Sequence, residues 1–261
     1  MIEKKVDGMG FVAGEWPFRP DRPTLVFISG AGAKAIFWRE QVAGLSPVAN
    51  TMAVDLPGHG ASDGTAGVNL FEYANAVNRL LRSIEAPSPV PCGVSMGGGV
   101  ALALLLGMKE YFAAGVVINS AAKLPFFPII LELLRKNKGR RINYHRLFSE
   151  LAVSKKSDME KMQGLIDASA TMNPQISLGD IAACNEFDVT GTLHEIRVPV
   201  LVVVGSDDLI IPPSNGHDLA AMIPSSHLIE ISDAGHLAPI EKPMEINRAI
   251  DRFLSLHGFL G

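Results

Sequence analysis

The sequence predicts an α/β fold: a mostly parallel central sheet with helices on both faces, interrupted by a helical insertion. Three observations carry this expectation. Short apolar runs rich in β-branched residues recur along the 261-residue chain, as strands covered on both faces require. Stretches of helical character alternate with them, and β-α alternation implies a parallel sheet wrapped by helices. One long stretch, residues 124–189, breaks that rhythm.

Taken in order, residues 5–13 suit an antiparallel edge hairpin ahead of the parallel core. Strands are expected at 24–29 (TLVFIS), 51–55 (TMAVD), 90–94, 114–119 (AGVVIN) and 198–204 (VPVLVVV), with a last one at 227–231. Helices are expected at 70–84, 97–108, 215–222 and 241–256. Within the insertion, 128–136, 143–151, 158–171 and 174–185 have helical character and no segment reads as a strand. The expected organisation is therefore a core of residues 1–123 and 190–261 with a helical insertion at 124–189.

Composition narrows the function classes. With 48% hydrophobic and 19% charged residues, the chain lies far from the polar, highly charged region of disordered sequences and can bury a large core. A net charge of −4 provides no global field to attract nucleic acid or an acidic membrane. The longest apolar run, 100–108, is about half the ~20 residues that a membrane-spanning helix requires. The charged start (Glu3, Lys4, Lys5) is followed by no apolar segment of the signal-peptide kind. Cys92 and Cys184 are the two cysteines, with no disulfide framework around them, which suits a reducing compartment. These readings lead to a cytoplasmic protein acting on a small molecule, with no nucleic-acid or membrane partner.

Gly93-Val94-Ser95-Met96-Gly97 matches G-x-S-x-G. In that motif a sharp strand-to-helix turn lifts a serine oxygen above the sheet, and glycines flank it because a Cβ would clash. The context fits: a strand-like VPCGV precedes it and an Ala/Leu-rich helical run follows. A serine at its free pKa is a poor nucleophile and needs a base oriented by a third group. His236, in the turn-like Asp233-Ala234-Gly235-His236 between the last strand and the last helix, is the candidate base. His59, in the loop PGHGAS, is read as a structural histidine bonded to backbone. The orienting acid is expected in Gly205-Ser206-Asp207-Asp208, at the carboxyl end of a strand, where sites in open α/β sheets are built.

Together these residues resemble the α/β-hydrolase superfamily over roughly residues 24–256. Asp55-Leu56-Pro57-Gly58-His59-Gly60-Ala61-Ser62 is similar to that family's D-x-P-G-x-G-x-S loop. The resemblance implies Asp208 as the acid, three residues after the strand-ending glycine, and a helical cap in the place of the insertion. It also implies an oxyanion hole built from the backbone N–H groups of Ala31 and Met96. The chain departs from the family in one place, with Ser29-Gly30-Ala31-Gly32 where His-Gly is usual. Backbone donors do not depend on that histidine. Ser95 at the elbow implies an acyl-serine route to an ester, thioester, lactone or activated carbon–carbon bond, carboxylesterase-like, with no cofactor and no metal.

Two rivals are weighed against this. Gly30-Ala31-Gly32-Ala33-Lys34-Ala35 satisfies G-x-G-x-x-A, with Asp55 placed as a ribose-binding acid would be. A nicotinamide-dependent oxidoreductase would leave Ser95, Asp208 and His236 unexplained, and the bulky Phe37 and Trp38 follow at once. A non-catalytic small-ligand receptor on the same fold is the other. Within the insertion, Phe126, Phe127 and Ile130 are expected to line an apolar substrate pocket. The run Arg135, Lys136, Lys138, Arg140 and Arg141 is read as a solvated basic helix end, with a site that steers an anionic substrate as the alternative.

Overall fold

The computed structural model describes residues 1–124, 151–171 and 173–260. Its strands are β1 (Ile2–Val6), β2 (Met9–Ala13), β3 (Thr24–Ile28), β4 (Asn50–Val54), β5 (Pro89–Val94), β6 (Gly115–Ile118), β7 (Val200–Gly205) and β8 (Ser226–Ile231). They form one sheet in the order β1-β2-β4-β3-β5-β6-β7-β8. The first two strands run antiparallel, and every pairing from β4 onward in that order is parallel. Strands β3, β4, β5, β6 and β7 are buried along their whole length, which is why they read as continuous apolar runs.

Neighbouring residues of one strand point to opposite faces, so each strand feeds two cores. Val26, Ile28, Met52 and Val202 pack on one face beneath α2 (Leu70–Ser83), α3 (Met96–Gly107) and α6 (Pro213–Met222). Leu25, Phe27, Ala53 and Val203 pack on the other beneath α1 (Arg39–Leu45) and α8 (Pro243–Leu256). There the Phe27 and Trp38 rings stack with centroids 5.0 Å apart. Asn69 caps α2, its side chain accepting the Glu72 N–H at 3.0 Å, while Glu72 accepts the Val68 N–H. These bonds satisfy donors that the first helical turn leaves without partners.

Three details differ from the sequence expectation. The hairpin begins at Ile2 rather than residue 5, with Ile2 opposite Ala13; its charged, exposed outer strand had hidden it, and such charges discourage edge-to-edge pairing. Helix α1, only seven residues long, was not anticipated because two turns carry too little periodicity. The last helix is split into α7 (Ala238–Glu241) and α8 by Pro243, whose ring and missing N–H end a helix at the preceding turn.

Between β6 and β7 the described residues include the α-helices α4 (Met159–Ser169) and α5 (Pro174–Asn185), capped by Asp158 and Asn173. Among the described residues no helix is long and apolar enough to cross a membrane. The expected pocket residues Phe126, Phe127 and Ile130, and the basic run 135–141, lie outside the described residues.

The sheet topology fixes where a site can form. From β3 the chain steps to β4 on one side and then crosses back to β5 on the other. The crevice beyond the carboxyl ends of β3 and β5 is therefore the topological switch point, the place where open α/β sheets bind ligands.

Candidate active site

Ser95 stands at that switch point, in the one-residue turn between β5 and α3. Its φ is +56° and ψ −122°, a conformation that costs a non-glycine residue energy and persists only where its surroundings enforce it. They do so from several sides. The Ser95 N–H bonds the Ile118 carbonyl at 3.0 Å, and its own carbonyl accepts the Ser120 hydroxyl at 2.8 Å. A Cβ on Gly93 would strike the Gly97 carbonyl, and one on Gly97 would strike that of Ile28, so both flanking glycines are required by close approach. Met96 is the first residue of α3, so its N–H lies ahead of the intrahelical bonds.

The loop after β3 lies against the serine. A Cβ on Gly30 would come within 3.2 Å of the Ser95 Cβ. Within this loop the Ala33 N–H closes onto the Gly30 carbonyl at 3.1 Å, and the Gly32 N–H donates to the Asp180 carboxylate at 2.7 Å. Gly32 therefore directs its N–H toward the insertion.

Asp208 and His236 meet although 28 residues separate them: Nδ1 lies 2.8 Å from the carboxylate Oδ2, and both side chains are almost fully buried. The second oxygen, Oδ1, accepts the Ile210 and Ile211 N–H groups at 2.8 and 2.9 Å. The contact takes Nδ1 of the imidazole, so the ring's other nitrogen, Nε2, points away from the carboxylate. The neighbouring Asp207 faces away. It accepts the Ser154 hydroxyl at 2.5 Å and the Ser206 hydroxyl at 2.9 Å, and these bonds hold its pKa below the ordinary carboxylate value.

Asn119, which reads in the sequence only as the end of an apolar strand, links the loops that carry Asp208 and His236. Its φ is +46°. Its amide nitrogen donates to the Gly235 and His236 carbonyls at 2.9 and 3.0 Å, and its oxygen accepts the Gly205 N–H at 2.7 Å. The histidine loop is held from the insertion as well: the His236 N–H bonds the Ala152 carbonyl at 2.6 Å, and Glu241 accepts the N–H groups of Gly235 and Ser154.

Asp55 uses both carboxylate oxygens within the protein, on the Ala35 N–H at 2.7 Å and the Ala61 N–H at 2.9 Å. Asp55 is also buried, so it is committed to holding its own loop, which argues against the dinucleotide-binding alternative. His59 is buried and does bond backbone, through Nδ1 and the Pro57 carbonyl at 3.1 Å. Its Nε2, however, meets Asp180 at 2.9 Å, a partner the sequence did not disclose.

Comparison with known proteins agrees with this architecture. The chain is 27% identical over 242 residues, 88% of each chain, to 3-oxoadipate enol-lactonase 2 of Acinetobacter baylyi. Its fold matches a thermophilic esterase from Thermogutta terrifontis with a TM-score of 0.82 at 23% identity, covering 95% of this chain and 93% of that one. It matches the enol-lactonase from Burkholderia xenovorans LB400 with a TM-score of 0.81 at 22% identity, covering 97% and 100%. The alpha/beta hydrolase family model matches residues 25–249. With most of its length matched and the strand order in place, the chain belongs to the alpha/beta hydrolase family.

Proposed function

We propose that this protein hydrolyses a small or medium ester or lactone through an acyl intermediate on Ser95. The observation that carries the reading is the buried Asp208–His236 pair at 2.8 Å on the same sheet edge as the strained Ser95 turn. In this mechanism His236 Nε2 takes the proton of Ser95 Oγ as the oxygen attacks the substrate carbonyl. Asp208 fixes the tautomer and stabilises the imidazolium that forms, remaining ionised itself. The carbonyl oxygen gains negative charge and is held by the N–H groups of Ala31 and Met96, preorganised donors that need no rearrangement as the charge develops. His236 returns the proton to the leaving oxygen. Water, activated by the same imidazole, then cleaves the acyl-serine.

No cofactor enters any of these steps. Residues 124–189 are proposed as the cap over the site, and the substrate as a small molecule. The lactonase relative at 27% identity favours esters and lactones over the thioesters and carbon–carbon bonds that acyl-serine chemistry also reaches. The test is a panel of p-nitrophenyl esters of graded chain length and simple lactones, run with wild type and Ser95→Ala. We expect several orders of magnitude less turnover in the variant at unchanged fold, since nucleophile and base act as a unit. A fluorophosphonate probe should label Ser95. Wild-type protein that is neither labelled nor active, yet binds a small ligand tightly, would favour the receptor reading.

A further inference from the structure

We infer that Asp180, paired with His59, is a positioning residue that sets the oxyanion-side loop from the insertion. The inference rests on the proposed serine-hydrolase reading for its catalytic consequence and on the structure for its geometry.

Asp180 lies in α5 with a side chain wholly closed to solvent. A buried carboxylate is tolerated only where donors replace its water. Here they come from three separate pieces of the core. Oδ2 accepts the Gly32 N–H at 2.7 Å and faces His59 Nε2 at 2.9 Å, and Oδ1 accepts the Tyr73 hydroxyl at 2.5 Å. The partners lie 148, 121 and 107 residues away along the chain. Each side chain in the cluster is closed off in turn: His59 and Tyr73 are both fully buried.

His59 faces an acceptor through each ring nitrogen, the Pro57 carbonyl at Nδ1 and the carboxylate at Nε2. A neutral imidazole has one N–H and would set a lone pair against one of these oxygens; the imidazolium has two and satisfies both. Burial alone lowers the imidazole pKa, and Asp180, the Pro57 carbonyl and Asp55 together outweigh it and leave the pKa raised. The groups facing His59 are Asp180 from α5, Tyr73 from α2 and Asp55 from its own loop. Burial and the neighbouring carboxylate likewise push the Tyr73 pKa up, so the phenol stays a donor.

The consequence falls on Gly32, at φ +69°. Its N–H is held by Asp180 and its carbonyl accepts the Thr171 N–H at 2.7 Å. Both peptide planes flanking Gly32 are thus tied to the insertion, and the Lys34 N–H adds a bond to Ser169 at 2.7 Å. A Cβ on Gly32 would lie 2.7 Å from the Ser177 hydroxyl of α5, so the two surfaces touch. With Gly32 fixed, the Gly30–Ala31 peptide that carries the Ala31 N–H is anchored one residue away, beside Ser95, whose Cβ a Cβ on Gly30 would approach to 3.2 Å. Without Asp180, the Gly32 N–H is a buried donor with no acceptor, and the loop turns to find one.

The test compares wild type with Asp180→Asn, Asp180→Ala, His59→Gln and Tyr73→Phe. Each is measured for kcat and KM on a short ester, for affinity toward a trifluoromethyl ketone that forms a tetrahedral adduct, and for exchange protection of the Gly32 amide. Losing one oxyanion donor lowers kcat by about 10²–10³-fold. We therefore expect Asp180→Ala to lower kcat by about 10²-fold with KM little changed and to weaken the ketone in parallel. Asp180→Asn retains an acceptor and should recover part of that loss. Tyr73→Phe, which leaves Oδ2 untouched, should have the smallest effect. Should either Asp180 variant fail to fold, the imidazole ¹⁵N spectrum of wild type and the His59→Gln kinetics still decide the matter: two protonated nitrogens at neutral pH support the pair. A neutral His59 ring overturns the inference. So do a folded Asp180→Ala enzyme with wild-type kcat and activity losses that merely track the fraction unfolded. If wild type itself shows no Ser95-dependent turnover, the hydrolase reading falls, and loss of Gly32 amide protection in Asp180→Ala still reports on the positioning role.

Discussion

Among the described residues two buried histidine–aspartate pairs occur, His236–Asp208 at 2.8 Å and His59–Asp180 at 2.9 Å. By separation and burial they are nearly the same object. They differ in which ring nitrogen meets the carboxylate and in what the other nitrogen meets. In the first pair Asp208 takes Nδ1, which makes Nε2 the nitrogen that the proposed mechanism uses as base. In the second Asp180 takes Nε2 while the Pro57 carbonyl faces Nδ1, so no lone pair remains to act as a base. The carboxylates differ too. Asp208 draws its other donors from its own loop, two and three residues on, whereas Asp180 gathers donors from three distant segments. In the proposed mechanism the first pair moves a proton, whereas the second joins two parts of the chain. A histidine–aspartate contact therefore carries no function until the remaining nitrogen and the location in the fold are known.

The most direct way to break the comparison is to neutralise each aspartate in turn. Asp208→Asn should lower kcat on the order of 10⁴-fold, because an amide offers a donor toward Nδ1 and favours the wrong tautomer. Asp180→Asn should cost far less, since it leaves the base intact. Steady-state kinetics on one ester, with both proteins checked for fold by circular dichroism, gives the ranking. Equal losses would mean that the two pairs are not functionally distinct.

Asn119→Ala comes next in size. It removes the donors to the Gly235 and His236 carbonyls and the acceptor for the Gly205 N–H, so the acid and base loops lose their common brace. Small misplacements of a catalytic group cost on the order of 10²-fold, and each orphaned buried group costs about 1–3 kcal/mol. We expect a kcat loss of roughly 10²-fold with a lowered denaturation midpoint. An unchanged kcat would show that the loops hold themselves.

What the sequence made legible was whatever depends on neighbours in the chain. The buried strands, the G-x-S-x-G turn and the loops carrying Asp208 and His236 each announce themselves through a strand followed by turn residues. The Pro57 contact of His59, two residues away, was legible for the same reason. Asn119 and Asp180 were not, because their partners lie 86 to 148 residues off. Asn119 left a faint trace as the polar residue ending an otherwise apolar strand, and Asp180 left one as a carboxylate within a helix whose neighbours Ile176, Ile181 and Cys184 are buried. Neither trace names a partner. Choosing Asp208 over Asp207 required a family spacing, whereas the geometry separates them by orientation alone.

The pH dependence of stability sharpens the contrast further. His59 binds its proton more tightly in the folded chain than at its ordinary value of 6.5. The pair's contribution is therefore complete below that ordinary value and is lost as pH rises through the raised, folded value. Urea denaturation at a series of pH values above about 6 should show a midpoint that declines with pH in wild type and declines less in His59→Gln. Parallel slopes in the two proteins would argue that His59 is not charged in the folded state.

The smallest effect is expected at Asp207, and it is the one that tests how far the neighbouring aspartates differ. Asp207 accepts hydroxyl bonds from Ser154 and Ser206, and through Ser154 it touches the segment whose Ala152 carbonyl receives the His236 N–H. Its bonds run to these hydroxyls, whereas Asp208 holds the imidazole at Nδ1. Asp207→Asn preserves the size of the side chain and one acceptor oxygen, and hydroxyls can donate or accept, so both serine contacts survive a reorientation. The kcat should stay near the wild-type value. The pH response should nevertheless change. The folded pKa of Asp207 lies below its ordinary value, so its contribution is present above the ordinary carboxylate value and is lost as pH falls through the folded one. Denaturation midpoints of Asp207→Asn and wild type should therefore converge in acid and separate slightly toward neutral pH. A kcat loss approaching that of Asp208→Asn would reassign the orienting acid.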